Sequence, residues 1–310
     1  FPIIENEFFN NLQNHHSLKN ILIYYLMKDA LDKISSQKNC IFPNENQPWE
    51  MALISNYKSF SHKNIIGYQH STTRFWDLRT FYCEKQYNNK SQFGYPRPDN
   101  IAVHSKIFFD AFIKANYPKK NLKLVETLKY EKLFDKRINT KKLIPSFNKE
   151  KINITLVLGA FRNFDAALVN CLKKNLSRFD NTFAFYLKEQ LSSDKVLEVK
   201  ETKRFKKVKG NLLDVFNASN LVIISNPSSA VLDAMYMNTP FLVYDGGNFL
   251  NFSPMYNLID RKFFIREYDF VSKIKAYSSK RNKNLWKFNK NKILESGNNF
   301  KNWKKIINFN

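Results

Sequence analysis

Glycine is scarce here: 7 residues in a chain of 310. That excludes collagen-like and glycine-rich low-complexity architectures. Neither G-x-G-x-x-G nor a P-loop is present, so two common glycine-built phosphate cradles are missing. Cysteine is rarer still. Cys40, Cys83 and Cys171 stand far apart with no C-x-x-C, which argues against a disulfide framework or a zinc site and for a reducing cytoplasm. No apolar run approaches the roughly 18 residues of a membrane span; Ile21–Met27 and Leu221–Ser225 are the longest candidates. There is no secretory leader pattern, and the chain opens on Phe1 rather than Met, so a true N-terminus is expected to be missing. With no H-E-x-x-H and no D-x-D pair, nothing in the sequence requires a divalent ion. No internal repeat is visible, which sets solenoids and propellers aside.

Acids are also few: 27 Asp and Glu stand against 50 Lys and Arg, for a formal net charge of +23. Hydrophobic residues at 43% and aromatics at 15% exclude wholesale disorder, and the length can bury the core of two medium domains. Such an excess favours polyanions: nucleic acid, an anionic membrane surface or a phosphate-bearing substrate. Most of the basic residues are scattered singly, which reads as solvated surface. The exception is Lys273–Lys305, where Lys and Arg alternate with Tyr277, Trp286, Phe288, Phe300 and Trp303 and Glu295 is the only acid. That pattern suits an interfacial helix on anionic lipid or a stacking platform for single-stranded nucleic acid. It equally suits a closing helix that packs its aromatics on the core.

Short apolar runs alternate with helical patterns along the chain. Leu18–Ile34 has helix-spaced apolar positions; Asn39–Pro43, Asn64–Tyr68 and Asp99–His104 have strand length; Trp49–Phe60 and Ser105–Asn116 read as helices. Between Lys129 and Lys151 the pattern fades into charge, as in a linker. It restarts with strands Ile152–Leu158, Thr182–Leu187, Leu221–Ser225 and Pro240–Tyr244, and with helices at Asp165–Arg178, Asn211–Ala218 and Ser228–Met237. Repeated strand–helix–strand units predict parallel sheets. The expected architecture is α/β: two Rossmann-like domains facing a cleft, at 1–145 and 146–272, followed by a basic, aromatic helical tail at 273–310. Ligands are then expected at the carboxyl ends of the strands.

Three segments carry chemistry. In Asn226-Pro-Ser-Ser-Ala-Val-Leu-Asp233 a strand turns into a helix whose N-terminus bears Ser228 and Ser229. Free N–H groups and hydroxyls there make an anion site suited to a nucleotide phosphate, and Asp233, one turn on, could reach a sugar or ribose hydroxyl. The plain alternative is ordinary N-capping with Asp233 in solvent. Glu45-Asn-Gln-Pro-Trp-Glu50 opens a helix after a strand, and its carboxylates suit a base, nucleophile or sugar-hydroxyl acceptor beside Gln47, or simple helix capping. Gly67-Tyr-Gln-His-Ser-Thr-Thr-Arg-Phe-Trp-Asp-Leu-Arg79 delivers His70, Ser71, Thr72, Arg74 and Asp77 to one loop. His70 suits proton transfer near neutrality, and Arg74 suits a forked grip on phosphate or carboxylate.

ENQPWE, GYQHSTTRFWDLR, PRPDNIAVHS, NPSSAVLDAM and DGGNFLNFSP occur in the order seen in a family of bacterial surface carbohydrate biosynthesis proteins, which this chain resembles from about Asn39 to Pro254. That family looks like GT-B glycosyltransferases and is distantly related to the capsule β-Kdo transferases that use CMP-Kdo. Since 310 residues are short for a full GT-B pair, the N-terminal domain is expected to lack its first strands. The sparse cysteines suit the cytoplasm, and the basic, aromatic tail suits a peripheral place on the inner membrane. The resemblance implies a glycosyltransferase that works without a metal or other cofactor. Its co-substrate would be a nucleotide sugar, a CMP-activated ulosonic acid among the candidates, and its acceptor a lipid-linked glycan or surface polysaccharide. Ser228, Ser229, Asp233, Asn226 and Lys188 would hold the donor. His70, Arg74, Asp77 and Glu45 or Glu50 would supply acid, base or nucleophile, with Gln47, Ser71 and Thr72 on the acceptor side. One departure concerns the base: the strand Thr182–Leu187 runs into Lys188-Glu189-Gln190, where the Kdo and sialic acid transferases carry His-Pro. A CDP-glycerol-type phosphotransferase of teichoic acid synthesis is the alternative enzyme, since it has a similar Ser-Ser helix. A basic nucleic-acid-binding protein or a non-catalytic scaffold is the alternative of another class; the absence of a clustered basic recognition motif weighs against nucleic acid.

Overall fold

A computed structural model describes residues 15–74, 80, 83–87, 94–130, 133, 147–159, 161–189, 201–246, 250–256, 259–278, 285–297 and 299–307. The chain forms two compact units. The first comprises Phe1–Ser71, Leu78–Leu128 and Gly297–Asn310, and the second comprises Thr72–Asp77 and Lys129–Ser296.

The first unit carries helix α1 (His15–Asp32), strand β1 (Asn39–Pro43), helix α2 (Pro48–Ser59), strand β2 (Asn64–Tyr68), the short helix α3 (Glu84–Tyr87), strand β3 (Asn100–Val103), helix α4 (Lys106–Lys114) and strand β4 (Leu122–Leu124). Its four strands pair in parallel in the order β1-β2-β3-β4, each reached through a helical crossover. Neighbouring residues of β2 serve opposite faces, as a period of two requires. Ile65 packs with Leu31, Phe42, Ile54 and Tyr57, whereas Ile66 packs with Tyr68, Ala102, Val125 and Trp303. Gly67 is required by close approach, because a Cβ there would stand 2.9 Å from the Cβ of Asn44.

The second unit carries β5 (Ile152–Val157), α5 (Arg162–Asn175), β6 (Phe183–Lys188), β7 (Phe205–Lys207), α6 (Leu212–Ala218), β8 (Leu221–Ser225), α7 (Ala230–Met237), β9 (Phe241–Tyr244), β10 (Phe264–Ile265), α8 (Phe270–Tyr277) and α9 (Lys290–Ile293). All six strands are parallel, in the order β10-β9-β8-β5-β6-β7. The central strands read as continuous apolar runs because helices cover both faces of such a sheet; in LVIIS of β8 all five residues are buried.

The last described helix, α10 (Lys301–Ile306), returns to the first unit. Trp303 is buried there, its indole N–H donating to the Glu126 carbonyl at 2.8 Å. The Glu126 carboxylate in turn accepts the backbone N–H groups of Asn302 (3.0 Å) and Trp303 (3.3 Å) at the positive end of the helix. Trp286, fully buried in the second unit, donates to the Phe241 carbonyl at 3.0 Å. The basic, aromatic tail is therefore divided between the units at Ser296 and Gly297, and its tryptophans are core residues. Of the readings open for that tail, packing of its aromatics on the core is the one that holds for Trp286 and Trp303, not stacking on lipid or nucleic-acid bases. Lys275, Lys287, Lys290, Lys304 and Lys305 are exposed, because only the apolar rings gain by leaving water.

Two parallel α/β sheets were legible from the sequence. Short strands β4, β7 and β10 were not, since two or three residues show no alternation and only their pairing partners define them. Helix α5 starts three residues before the expected Asp165, which leaves that aspartate in the first turn.

Candidate active site

In the second unit the chain runs from β5 outward to β6 and β7, then returns to lay β8, β9 and β10 on the other side of β5. The reversal lies between β5 and β8, and such a switch point is where open parallel α/β sheets commonly bind ligands. Gly159 follows β5 and Asn226-Pro-Ser-Ser229 follows β8. They meet: a Cβ at Gly159 would lie 3.6 Å from Ser228 Cβ and 3.7 Å from the Ser228 nitrogen and from Asp165 Oδ1. The Gly159 N–H donates to Asp165 Oδ1 at 2.8 Å. Burial pushes the Asp165 carboxyl above the ordinary range, against the Gly159 N–H and the Ser225 hydroxyl, which hold it down. Asp165 thus braces the β5 loop from the first turn of α5.

On the β8 side the turn leads straight into α7. Ser228 Oγ accepts the Ala230 N–H at 3.3 Å, so Ser228 caps the helix; Ser229 occupies the N-cap position without a side-chain bond. Asn226 is buried, and its side-chain oxygen finds no hydrogen-bond partner among the described residues. A buried amide oxygen left in that state is costly, and a ligand donor would relieve it. The guanidinium of Arg74 donates to the Pro227 carbonyl at 3.2 Å, which brings a permanent positive charge to the turn. Asp233 lies one turn into α7. Its surface is not wholly closed off, yet lost hydration pushes its carboxyl up to about 7, with the charge of Lys129 acting in the other direction. Lys188, at the end of β6, donates to the Glu189 carbonyl at 3.1 Å, and burial lowers its ammonium below the ordinary lysine range.

The first unit presents a different set at its strand ends. His70 Nδ1 lies 2.8 Å from Glu45 Oε1, with the imidazole half exposed. Glu45 follows β1 and His70 follows β2; the two strands are paired neighbours, so their loops emerge side by side. Glu50 is different in kind. It is buried, and its carboxylate accepts the backbone N–H groups of Glu45 (3.0 Å) and Asn46 (2.8 Å) and the Asn44 amide (3.0 Å). Those bonds hold Asn46 in its left-handed conformation, φ 56°, and set the Glu45 loop. That corrects the expectation of Glu50 as a reacting group: its lone pairs are occupied by the fold. Gln47 is the N-cap residue of α2, its main-chain carbonyl taking the Glu50 N–H at 3.0 Å. Ser71 is half-buried in the first unit, whereas Thr72 is buried in the second. Asp77 lies outside the described residues.

Arg74 was grouped with His70 by sequence proximity. The chain passes from the first unit to the second between Ser71 and Thr72, so the two residues belong to different units. Asp165 escaped notice as a site residue; the signal was a glycine closing a buried strand with an acid six residues on. His104 is a second omission: fully buried after β3, its Nδ1 lies 2.7 Å from the Gln69 carbonyl beside His70. At the end of β9, Asp245 takes both Arg266 Nε (3.0 Å) and Nη2 (2.8 Å) and the Asn251 amide (2.8 Å), closing that edge with a forked ion pair.

Two α/β units built on all-parallel sheets define the GT-B class of fold. Solved structures share it over nearly the whole chain. S. aureus MnaA, solved with UDP, aligns with 94% of this chain and 80% of its own at 9% identity and a TM-score of 0.54. The glycotransferase of kitacinnamycin aligns over 89% and 78% at 8% identity and 0.53. UDP-GlcNAc 2-epimerase from Neisseria meningitidis, bound to UDP-GlcNAc, aligns over 93% and 78% at 11% identity and 0.50. At these identities the likeness is one of fold. No family model and no curated protein matches the sequence.

Proposed function

We propose that the chain is a nucleotide-sugar-dependent glycosyltransferase. The observation that carries the reading is the turn Asn226–Ser229, where the switch point, the α7 N-terminus and the Arg74 guanidinium coincide. A diphosphate laid across that turn would be met by N–H groups of the first helical turn and by Arg74, charges that are already in place when the glycosyl bond breaks. Asp233 would take the ribose hydroxyls, Asn226 a donor of the nucleoside, and Lys188 and Ser229 would make lesser contacts with the phosphates.

The His70–Glu45 pair supplies the proton transfer. Glu45 orients the imidazole through Nδ1, leaving Nε2 to take the proton of an acceptor hydroxyl as that oxygen attacks the anomeric carbon and the nucleotide departs. Ser71, Thr72 and Gln47 are proposed acceptor contacts. The acceptor is a lipid-linked glycan or polysaccharide. Structures sharing the fold were solved with UDP and UDP-GlcNAc, and the Lys188-Glu189 sequence in place of His-Pro favours such a donor over a CMP-linked one.

Thermal shift against UDP-, GDP-, CDP- and CMP-linked sugars tests the reading. One nucleotide class is expected to raise Tm, by about 2.7 kcal/mol of stabilisation at 100 times Kd. Absence of any shift at millimolar ligand would overturn it. Since proteins solved in this fold include 2-epimerases, product analysis with and without acceptor separates transfer from epimerisation: free epimer without acceptor would replace the transferase reading.

A further inference from the structure

The loop that carries His70 is tied to both neighbouring strands. On the β1 side the Asn44 N–H donates to the Tyr68 carbonyl at 2.7 Å; on the β3 side the Gln69 N–H donates to the Ala102 carbonyl at 3.0 Å. A further tie is made by a side chain. The Gln69 carbonyl stands 2.7 Å from Nδ1 of His104, the residue that follows β3. A carbonyl only accepts, so Nδ1 carries the hydrogen and donates, which fixes the tautomer of the neutral ring.

The surroundings of His104 hold that bond still. The residue is fully buried, as is Ser105 beside it. Its ring lies against Tyr68, with centroids 6.1 Å apart, and edge-on to Phe108 in the first turn of α4 at 6.2 Å. Tyr68 in turn packs on Trp303 at 5.4 Å. A ring enclosed in this way keeps one orientation, because a close-packed interior has no room for another rotamer.

The bond reaches His70 through the peptide link. The Gln69 carbonyl lies in one plane with the nitrogen and Cα of His70, since the amide is rigid. Fixing the carbonyl fixes that plane, and only φ and the side-chain torsions of His70 remain to aim its imidazole at Glu45, 2.8 Å away. The Glu45 loop is secured in a similar manner, because the buried Glu50 carboxylate accepts the backbone N–H groups of Glu45 and Asn46. Each half of the pair thus rests on a buried polar side chain.

We propose that His104 is a positioning residue, whose Nδ1–H locks the Gln69–His70 peptide plane so that the His70 imidazole meets Glu45. Its consequence for turnover rests on the reading of His70 as the base. Misplacing such a group by about 1 Å can cost on the order of a hundredfold in rate.

Substitutions at position 104 test it. His104→Asn keeps a donor, its amide nitrogen standing in the place of Nδ1, whereas His104→Leu has similar bulk and no donor. His104→Leu should lower kcat about 10- to 100-fold while KM for the nucleotide sugar stays within about twofold, and His104→Asn should recover most of the loss. In a His70→Ala background His104→Leu should have no further effect, since the group it positions is gone. Should His104→Leu fail to fold, His104→Gln serves in its place, because its amide nitrogen reaches the Nε2 position instead. Wild-type turnover in His104→Leu, or equal losses in His104→Asn and His104→Leu, would overturn the proposal.

Crystal structures of the variants read the geometry without substrate. The His70 Nδ1–Glu45 Oε1 distance should stay near 2.8 Å in His104→Asn and open beyond about 3.5 Å in His104→Leu. An unmoved pair in His104→Leu sinks the positioning role whatever reaction the chain performs. A displaced pair, beside a His70→Ala variant of full kcat, would keep the positioning role and remove His70 from the chemistry.

Discussion

His70 Nδ1 stands 2.8 Å from Glu45 Oε1, and the two residues sit on the loops that leave paired strands β2 and β1. Their neighbour Glu50 fixes the Glu45 loop from beneath, through bonds to the backbone N–H groups of Glu45 and Asn46. Three acidic or basic groups thus divide into a partly exposed, mutually bonded pair and a buried support.

From that division follows a kinetic contrast. His70→Ala and Glu45→Gln should lower kcat by about 10²- to 10⁴-fold while leaving nucleotide affinity nearly unchanged. Glu50→Gln should instead cost stability, about 1–3 kcal/mol, through its backbone partners. Steady-state kinetics beside chemical denaturation distinguishes the two. Equal loss of kcat and unchanged stability in Glu50→Gln would return it to the reacting set.

Arg74 reports on the donor. Arg74→Ala is expected to weaken nucleotide-sugar binding by about 10- to 100-fold, the scale of one charge-assisted contact, with Arg74→Lys intermediate because a point charge lacks the fork. Calorimetric titration reads this directly. Unaltered affinity with lost turnover would place Arg74 with the acid–base groups after all.

Asp233 supplies a pH dependence with a definite sign. Its carboxyl, pushed up to about 7 by burial, lies above the unfolded value near 4, so folding favours the protonated form. Stability contributed by this group is present at low pH and lost as pH rises from about 4 through 7. Ribose hydroxyls donate best to the ionised form, so donor affinity should run the other way and increase toward pH 8 by up to roughly tenfold per pH unit below 7. A nucleotide sugar is the right probe, because its diphosphate has no ionisation of its own in this range. Asp233→Asn should flatten both profiles; a slope that survives the substitution would belong to another group.

The C-terminal anchor is testable by stability alone. Trp303→Ala should cost about 3–5 kcal/mol, from the buried ring and the bond to the Glu126 carbonyl. Glu126→Gln should cost about 1–2 kcal/mol, from the loss of charge at the α10 N-terminus. Urea denaturation checks both, and neither substitution should alter nucleotide affinity.

Some of this was legible beforehand. Buried parallel strands announce themselves as apolar runs, and LVIIS followed by Asn-Pro-Ser-Ser reads directly as strand, turn and helix N-terminus. The Glu45 and His70 loops could be placed at strand ends for the same reason. Their meeting could not, because it depends on β1 and β2 being neighbours in register. That Arg74 belongs to the other unit was not legible either, since sequence distance carries no information about which sheet a loop leans on. Glu50 and Glu45 look alike in ENQPWE, and burial alone separates them.

Local structure, then, was determined by the sequence itself: where the longer strands and helices fall, that the sheets are parallel, and which turn opens a helix N-terminus. These follow from periodicity, capping and backbone sterics, all of which act within a few residues. Tertiary structure decided which way each face points and which side chains share a site. Helix α1 shows the difference, since the spacing of Leu18, Ile21, Leu22, Tyr25 and Leu26 guarantees a face but only packing chooses between core and solvent, where these five lie. The same holds for the basic, aromatic tail, whose tryptophans lie in the core because two sheets offered them apolar surface and a carbonyl each.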